Sequence, residues 1–399
     1  MGEQGIMRSE IRWINYICLY FLMSSLNLFF QTGLSLPGNI FSPIKVGMKV
    51  ILIGYLLYTV LRTKQRSFFR MLFITIAIVG YFFLKSALMG NAVKDTLKSN
   101  LVTIITICAP LFVCASQISE SELFFRRFTV TARLSGLVSS LTMYMYTLRN
   151  VRNYDSSSGY LLTLSSIALF MSYKDSKRKY DLVLSLGFAF IAIIYGSRGA
   201  IVCFLGVLLF GIITLGKMTP RRLSLSIAGI LLCIIFVMNL ETIINMLPES
   251  IISRNMLVLM GANEYVSSFF DSNGRIGIWA YYWSLSLKNP FWGSGIFGDY
   301  ISLFPHNIFL EILAAEGIVF GLLISIVILW YNLRPLKMSA LNDKDKYIYL
   351  VFSAVFFEVM LSTDFLLNEM WWVFFGITIS MIRINRERSY ALFEREIGR

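Results

Sequence analysis

The sequence is a succession of apolar runs, many of them close to the roughly twenty residues needed to cross the hydrocarbon core of a bilayer, separated by short polar segments. Nothing else in the chain constrains its fold as strongly. Backbone in hydrocarbon must satisfy its hydrogen bonds within one segment or within a closed barrel. Long continuous runs, as opposed to alternating ones, select the helix. The composition agrees: 56% of the residues are hydrophobic and 15% are charged. That charged share is well under the quarter a wetted soluble surface usually carries.

The runs predict an all-α, polytopic transmembrane bundle of about twelve helices, a single membrane domain over residues 1–399. The expected spans are Trp13–Phe30, Val46–Leu61, Phe69–Met89, Leu101–Ala115, Phe128–Leu148 and Gly159–Met171, then Leu182–Tyr195, Ala200–Leu215, Leu223–Leu240, Asn307–Trp330, Tyr347–Leu361 and Trp371–Ile384. A larger loop, 241–305, separates the ninth from the tenth and contains short amphipathic helices.

Charge gives the orientation. Formal net charge is +13, and most of the 36 Lys and Arg lie in short loops between runs. With the N-terminus inside, every inner loop holds at least two of them, which is the positive-inside pattern. Both termini are then cytoplasmic, and 241–305 lies outside together with Ser197, Arg198, 91–99, 149–158 and 362–368. Basic residues bound for nucleic acid would form a solvated face instead. The five cysteines, Cys18, Cys108, Cys114, Cys203 and Cys233, all lie inside runs and suggest neither a disulfide framework nor a metal site. The opening residues do not read as a cleavable signal peptide.

Three outer segments could carry chemistry. Tyr195-Gly196-Ser197-Arg198-Gly199-Ala200 joins two spans with almost no loop, so Arg198 sits at the membrane boundary among small neighbours. It either grips an anion, as a guanidinium can grip a phosphate with paired hydrogen bonds, or snorkels to lipid headgroups. Second, a turn at Asp271-Ser272-Asn273-Gly274 precedes an expected helix, Arg275 to Lys288, stopped by Asn289-Pro290. Arg275, Trp279 and Trp283 share a face there. That face is an interfacial anchor or a surface on which sugars stack.

The third segment, Phe304-Pro305-His306-Asn307-Ile308-Phe309-Leu310-Glu311, contains the only histidine of the chain, at the outer mouth of the tenth span. A lone histidine is usually structural, yet it can move a proton near neutral pH. Asn307 and Glu311 are four apart and fall on one helical face. Lys85, Glu358 and Asp364 also lie at outer depth, where they either wall a wet cavity or pair with one another.

Taken in order, Gly196-Ser197-Arg198-Gly199-Ala200, Arg275 with Trp279, Asn289-Pro290-Phe291-Trp292-Gly293-Ser294-Gly295, His306-Asn307-Ile308-Phe309-Leu310-Glu311 and Glu316-Gly317 resemble the core of the bacterial O-antigen polymerase and O-antigen ligase family. The resemblance covers 190–330; the N-terminal half fits in hydropathy alone.

It implies a glycosyltransferase on the outer face of the bacterial cytoplasmic membrane that uses a glycan on polyprenyl pyrophosphate, with no cofactor and no metal. A polymerase passes the growing chain to the next lipid-linked repeat unit of an O-antigen, capsule or exopolysaccharide. A ligase passes the finished chain to lipid A core or another acceptor. Partners are the lipid-linked donor, the glycan acceptor, membrane lipid and other polysaccharide-assembly proteins, not nucleic acid. His306, Arg275 and Arg198 are the expected catalytic residues; Ser197, Trp279, Asn307 and Glu311 are the expected substrate contacts. Gly293 and Gly295 are expected to let the loop bend back over the sugar. A transporter or flippase of lipid-linked sugars is the rival class. It calls for polar residues along a path through both membrane halves, whereas here they gather outside, with Arg133 near the inner end of its span as the main exception.

Overall fold

The computed structural model describes residues 3–63, 66–88, 100–148, 156–195, 198–215, 224, 275–295, 305–360 and 366–397. Among them all regular structure is helical. In chain order the helices are α1 (Glu3–Leu28), α2 (Gly38–Thr63), α3 (Arg66–Leu88), α4 (Ala109–Ser116), α5 (Ser121–Leu148), α6 (Ser156–Ser176), α7 (Lys179–Tyr195), α8 (Arg198–Thr214), α9 (Arg275–Lys288), α10 (Ile308–Leu333), α11 (Asp343–Val359) and α12 (Glu369–Ile397). The expected ninth span, Leu223–Leu240, and most of the loop 241–305 lie outside the described residues. Every other expected span falls on a helix.

Among the described residues four stretches are long and apolar enough to cross a membrane: Ser9–Gly33, Gly38–Arg62, Phe68–Leu88 and Ile308–Lys337. Asn100–Ser116 and Val202–Ile212 are apolar but shorter. The others carry polar groups that the bundle pairs internally. Arg133 of α5 forks onto Asp181 of α7, Nε to Oδ1 at 2.8 Å and Nη2 to Oδ2 at 3.0 Å, while Ser172 of α6 donates to Asp181 Oδ2. That pairing accounts for the one charge that had suggested a path through the inner half. Arg388 and Ser121 both reach Asp345, which also closes a capping box with Asn342 at the start of α11.

The centre of the bundle is aromatic. α11 is buried along almost its whole length, Phe352 lying 4.8 Å from Phe128 of α5 and Tyr349 5.8 Å from Phe374 of α12, ring centre to ring centre. By contrast α2, α3 and α10 turn large apolar side chains outward, among them Leu61, Phe73, Leu88 and Leu323. In water such a surface would drive association; against lipid tails it costs nothing. The described cysteines, Cys18, Cys108, Cys114 and Cys203, are free and buried in these interiors.

One break positions the end of the bundle at which α9 meets α10. α10 departs from helical geometry at Gly317, with φ 79° and ψ 164°. In an unbroken helix Val319 N–H would bond to Ala315 O; here it donates to Pro290 O at 3.0 Å. Ser294 N–H and Gly295 N–H donate in turn to Ala314 O (2.7 Å) and Ala315 O (3.0 Å). Segment 289–295 thus supplies the hydrogen bonds that the break removes, as backbone at membrane depth requires. Glycine is needed on both sides. Gly293 and Gly317 both have positive φ, and a Cβ on either would lie within 2.5 Å of the other segment's backbone. The expectation that Gly293 and Gly295 bend the loop over a sugar gives way to this docking: Gly293 packs on the break and Gly295 on Ser86 of α3.

Candidate functional site

His306 stands just before α10, where the chain makes its last turn into the bundle. Its backbone is left-handed, φ 51°, a conformation uncommon outside glycine that persists only where surroundings hold it. Two contacts hold it. Asn307 is the N-cap of α10, and its Oδ1 accepts from Phe309 N–H (3.0 Å) and Leu310 N–H (3.2 Å). On the other side Trp279 Nε1 donates to Pro305 O at 2.7 Å, so the indole of α9 is fastened one residue before the histidine.

α9 itself runs from Arg275 to Lys288 and packs on α10 through Ile278, Tyr282 and Leu285 against Leu310 and Ala314. Positions 278, 282 and 285 form an i, i+4, i+7 stripe. It lies one residue round the helix from the expected stripe of Arg275, Trp279 and Trp283. The expected single aromatic face is therefore divided: Trp279 turns to Pro305, Tyr282 is buried, and Trp283 is exposed.

Behind His306 opens a cavity of about 440 Å³. Its polar wall includes Asn27 of α1, Tyr160 of α6, Glu358 of α11, and Asn368 and Glu369 at the start of α12. These residues come from the C-terminal parts of α1 and α11 and the N-terminal parts of α6 and α12, which the charge pattern assigns to one side of the membrane. Glu358 Oε1 accepts from Asn368 Nδ2 at 3.0 Å, and Asn368 Oδ1 accepts from Trp371 N–H at 2.9 Å. Tyr20 hydrogen-bonds Glu369, and burial raises that carboxyl above the usual carboxylate range, opposed by Lys49 and Lys45.

The remaining sequence candidates distribute as follows. Arg198 and Arg275 are the first residues of α8 and α9; their side chains, and all of Ser197, lie outside the described residues. Glu311, one turn into α10, is buried and is not part of the cavity wall. Lys85 does not pair with Glu358: its Nζ lies 2.6 Å from Glu316 Oε2 and donates to Ala315 O at 3.1 Å, at the break in α10. Asp364 lies outside the described residues. Glu369, Asn368 and Asn27 were passed over in the sequence. The available signal was their position as polar residues in the first or last turns of apolar helices, all at the same end.

A helical bundle with outward-facing apolar surfaces, and a polar cavity rimmed by His306 at one end, is the architecture of a membrane protein. Residues 182–326 match a family model described as O-antigen ligase. The matched segment takes in α7, α8, α9 and the first part of α10, with its break. This segment is thus similar to the O-antigen polymerase and ligase family, whose members are glycosyltransferase-like enzymes that act on lipid-linked glycans. The match supports O-antigen ligase- or polymerase-type activity. No curated protein and no solved structure matches the chain.

Proposed function

We propose that this protein polymerises surface polysaccharide, moving a growing glycan from polyprenyl pyrophosphate onto a hydroxyl of the next lipid-linked repeat unit. The reaction takes place on the outer face of the bacterial cytoplasmic membrane, with both termini of the chain inside. The observation that carries this reading is the Trp279–Pro305 hydrogen bond. It ties the helix that begins with Arg275 to the turn that holds His306, inside the segment matching the family.

In this reading the acceptor hydroxyl attacks the anomeric carbon of the donor sugar. A new C–O bond forms as the bond to the pyrophosphate oxygen breaks, and the electron pair leaves with the pyrophosphate. His306 takes the hydroxyl proton as general base, which requires the imidazole neutral beforehand. Arg198 and Arg275 hold the pyrophosphate and stabilise the charge that grows on it, the interaction that strengthens most at the transition state. The two guanidinium groups supply the positive charge that a metal ion supplies elsewhere, so the step is written without one.

Ser197 contributes to the same anion cradle. Asn307 gives its Oδ1 to the helix cap, so its contact with substrate falls to Nδ2. Glu311 acts from one turn below, and Trp279 presents its ring to a sugar while its Nε1 is held by Pro305.

Polymerase is preferred to ligase because the outer loop, 241–305, is short for docking a lipid A core. A gel of surface and lipid-linked glycan from a deletion strain tests this directly. Acceptors capped with a single repeat unit support the polymerase. Long chains accumulating on the polyprenyl carrier, with a bare acceptor, would show a ligase.

A further inference from the structure

The cavity behind His306 holds chemistry that the transfer step leaves unused. Two of its described lining residues, Glu358 and Glu369, are carboxylic acids, and none is Lys or Arg. Its other polar groups, on Asn27, Asn368, Ser24 and Tyr160, are neutral. Lys45 and Lys49 act on Glu369 from α2 without lining the cavity. Such a wall offers a pyrophosphate no lysine or arginine to pair with. It is matched to ligands with hydroxyl or N–H groups, because a carboxyl accepts hydrogen bonds in either form.

The location makes the same point. Glu358 is 8% exposed at the outer end of α11, and a carboxyl at that depth is retained where it pairs or lines a cavity. A volume of about 440 Å³ falls within the range of small-ligand sites, roughly 300–1,000 Å³. Tyr20 and Tyr160 add aromatic wall to a pocket of hydroxyl and amide groups, the combination of apolar face and polar edge that a sugar ring presents. His306 lines this cavity, and its neighbour Pro305 is bonded to α9, the helix that begins with Arg275.

We infer that this cavity is the acceptor subsite: it binds the terminal sugar of the incoming acceptor, a neutral or amine-bearing residue and not an acidic one, with Glu358 and Glu369 accepting hydrogen bonds from its hydroxyl or N–H groups. The inference rests on the reading of His306 as the base that faces the acceptor hydroxyl. The two halves of the reaction are thereby kept apart, the anionic donor pyrophosphate toward the arginines and the acceptor sugar toward the carboxyl groups.

The test uses the full chain in lipid nanodiscs. The lipid-linked repeat unit extracted from a deletion strain is titrated as acceptor at fixed donor, and then the donor at fixed acceptor. Glu369→Gln and Glu358→Gln keep side-chain volume and remove the charge; Asn27→Ala, at a half-buried position, guards against variants that fail to fold. The expected result is a rise in the KM for acceptor of about tenfold, the scale of a lost hydrogen bond to a charged group, with the KM for donor unchanged. A rise in donor KM alone, or an acceptor KM within twofold of wild type in all three variants, overturns the acceptor assignment while leaving the transfer reading in place. Full turnover by His306→Ala overturns that underlying reading instead.

Discussion

Lys85 Nζ lies 2.6 Å from Glu316 Oε2, joining α3 to α10 beside the residue where α10 breaks. The side chains are 10% and 4% exposed, so neither charge has water as a ready alternative. The same ammonium donates to Ala315 O, a carbonyl the break has freed from its helical partner. The pair thus fixes α3, the break and segment 289–295 at one point, and that segment continues directly from α9.

Removing one partner of this pair strands the other. Lys85→Ala is expected to destabilise the protein by about 3–5 kcal/mol, the usual cost of leaving a buried charge uncompensated. Replacing both, Lys85→Met with Glu316→Gln, is expected to cost less than the single change. Thermal unfolding in nanodiscs measures both, and a double variant as unstable as Lys85→Ala would contradict the pairing.

Gly317→Ala is expected to be poorly tolerated for a different reason. Its φ is 79°, and a Cβ there would lie 2.5 Å from Pro290 O and 2.6 Å from Asn289 O. The loss should exceed about 1 kcal/mol, since alanine is unsuited to that backbone. Gly80→Ala on α3, with nothing within 4 Å of the added carbon, is the control and should unfold at the temperature of the wild type.

Trp279→Phe keeps an aromatic ring and deletes the bond to Pro305 O. One neutral hydrogen bond contributes about 0.5–1.5 kcal/mol, so the fold should survive. Turnover should fall more than stability does, because the bond holds the turn that carries His306. Equal, small losses in both would mean that the bond only secures α9.

Orientation is open to chemical labelling. Ser272→Cys in the loop is expected to react with an impermeant thiol reagent added from outside, and Ser176→Cys at the end of α6 to be protected. The opposite pattern would invert the topology.

The helices were legible in the sequence because membrane spans announce themselves locally. The run from Val46 to Leu61 lies within α2 and that from Phe69 coincides with α3 to its end at Leu88, and the expected helix between the turn residues 271–274 and Asn289-Pro290 is there, fourteen residues long. What was not legible is what joins distant positions. Lys85 and Glu316 are 231 positions apart, and no local pattern distinguishes that pairing from one between Lys85 and Glu358. Glu316-Gly317 was visible only as part of a family resemblance; its physical content, a broken helix mended by segment 289–295, needed coordinates. Of the cavity wall, Glu358 was named as a candidate, but Asn27 and Glu369 were missed for the same reason, since the three meet only when α1, α11 and α12 pack. His306 stood out in the sequence as the only histidine, at the mouth of α10, but the residues that share its cavity could not be read from its own segment.

The most direct test of the central claim is the length of surface glycan in a deletion strain carrying His306→Ala, with membrane levels of the protein checked alongside. The expected result is acceptors bearing no more than a single repeat unit while the variant accumulates in the membrane like the wild type. Long chains of normal distribution would contradict the assignment of His306 as the base that makes the new bond.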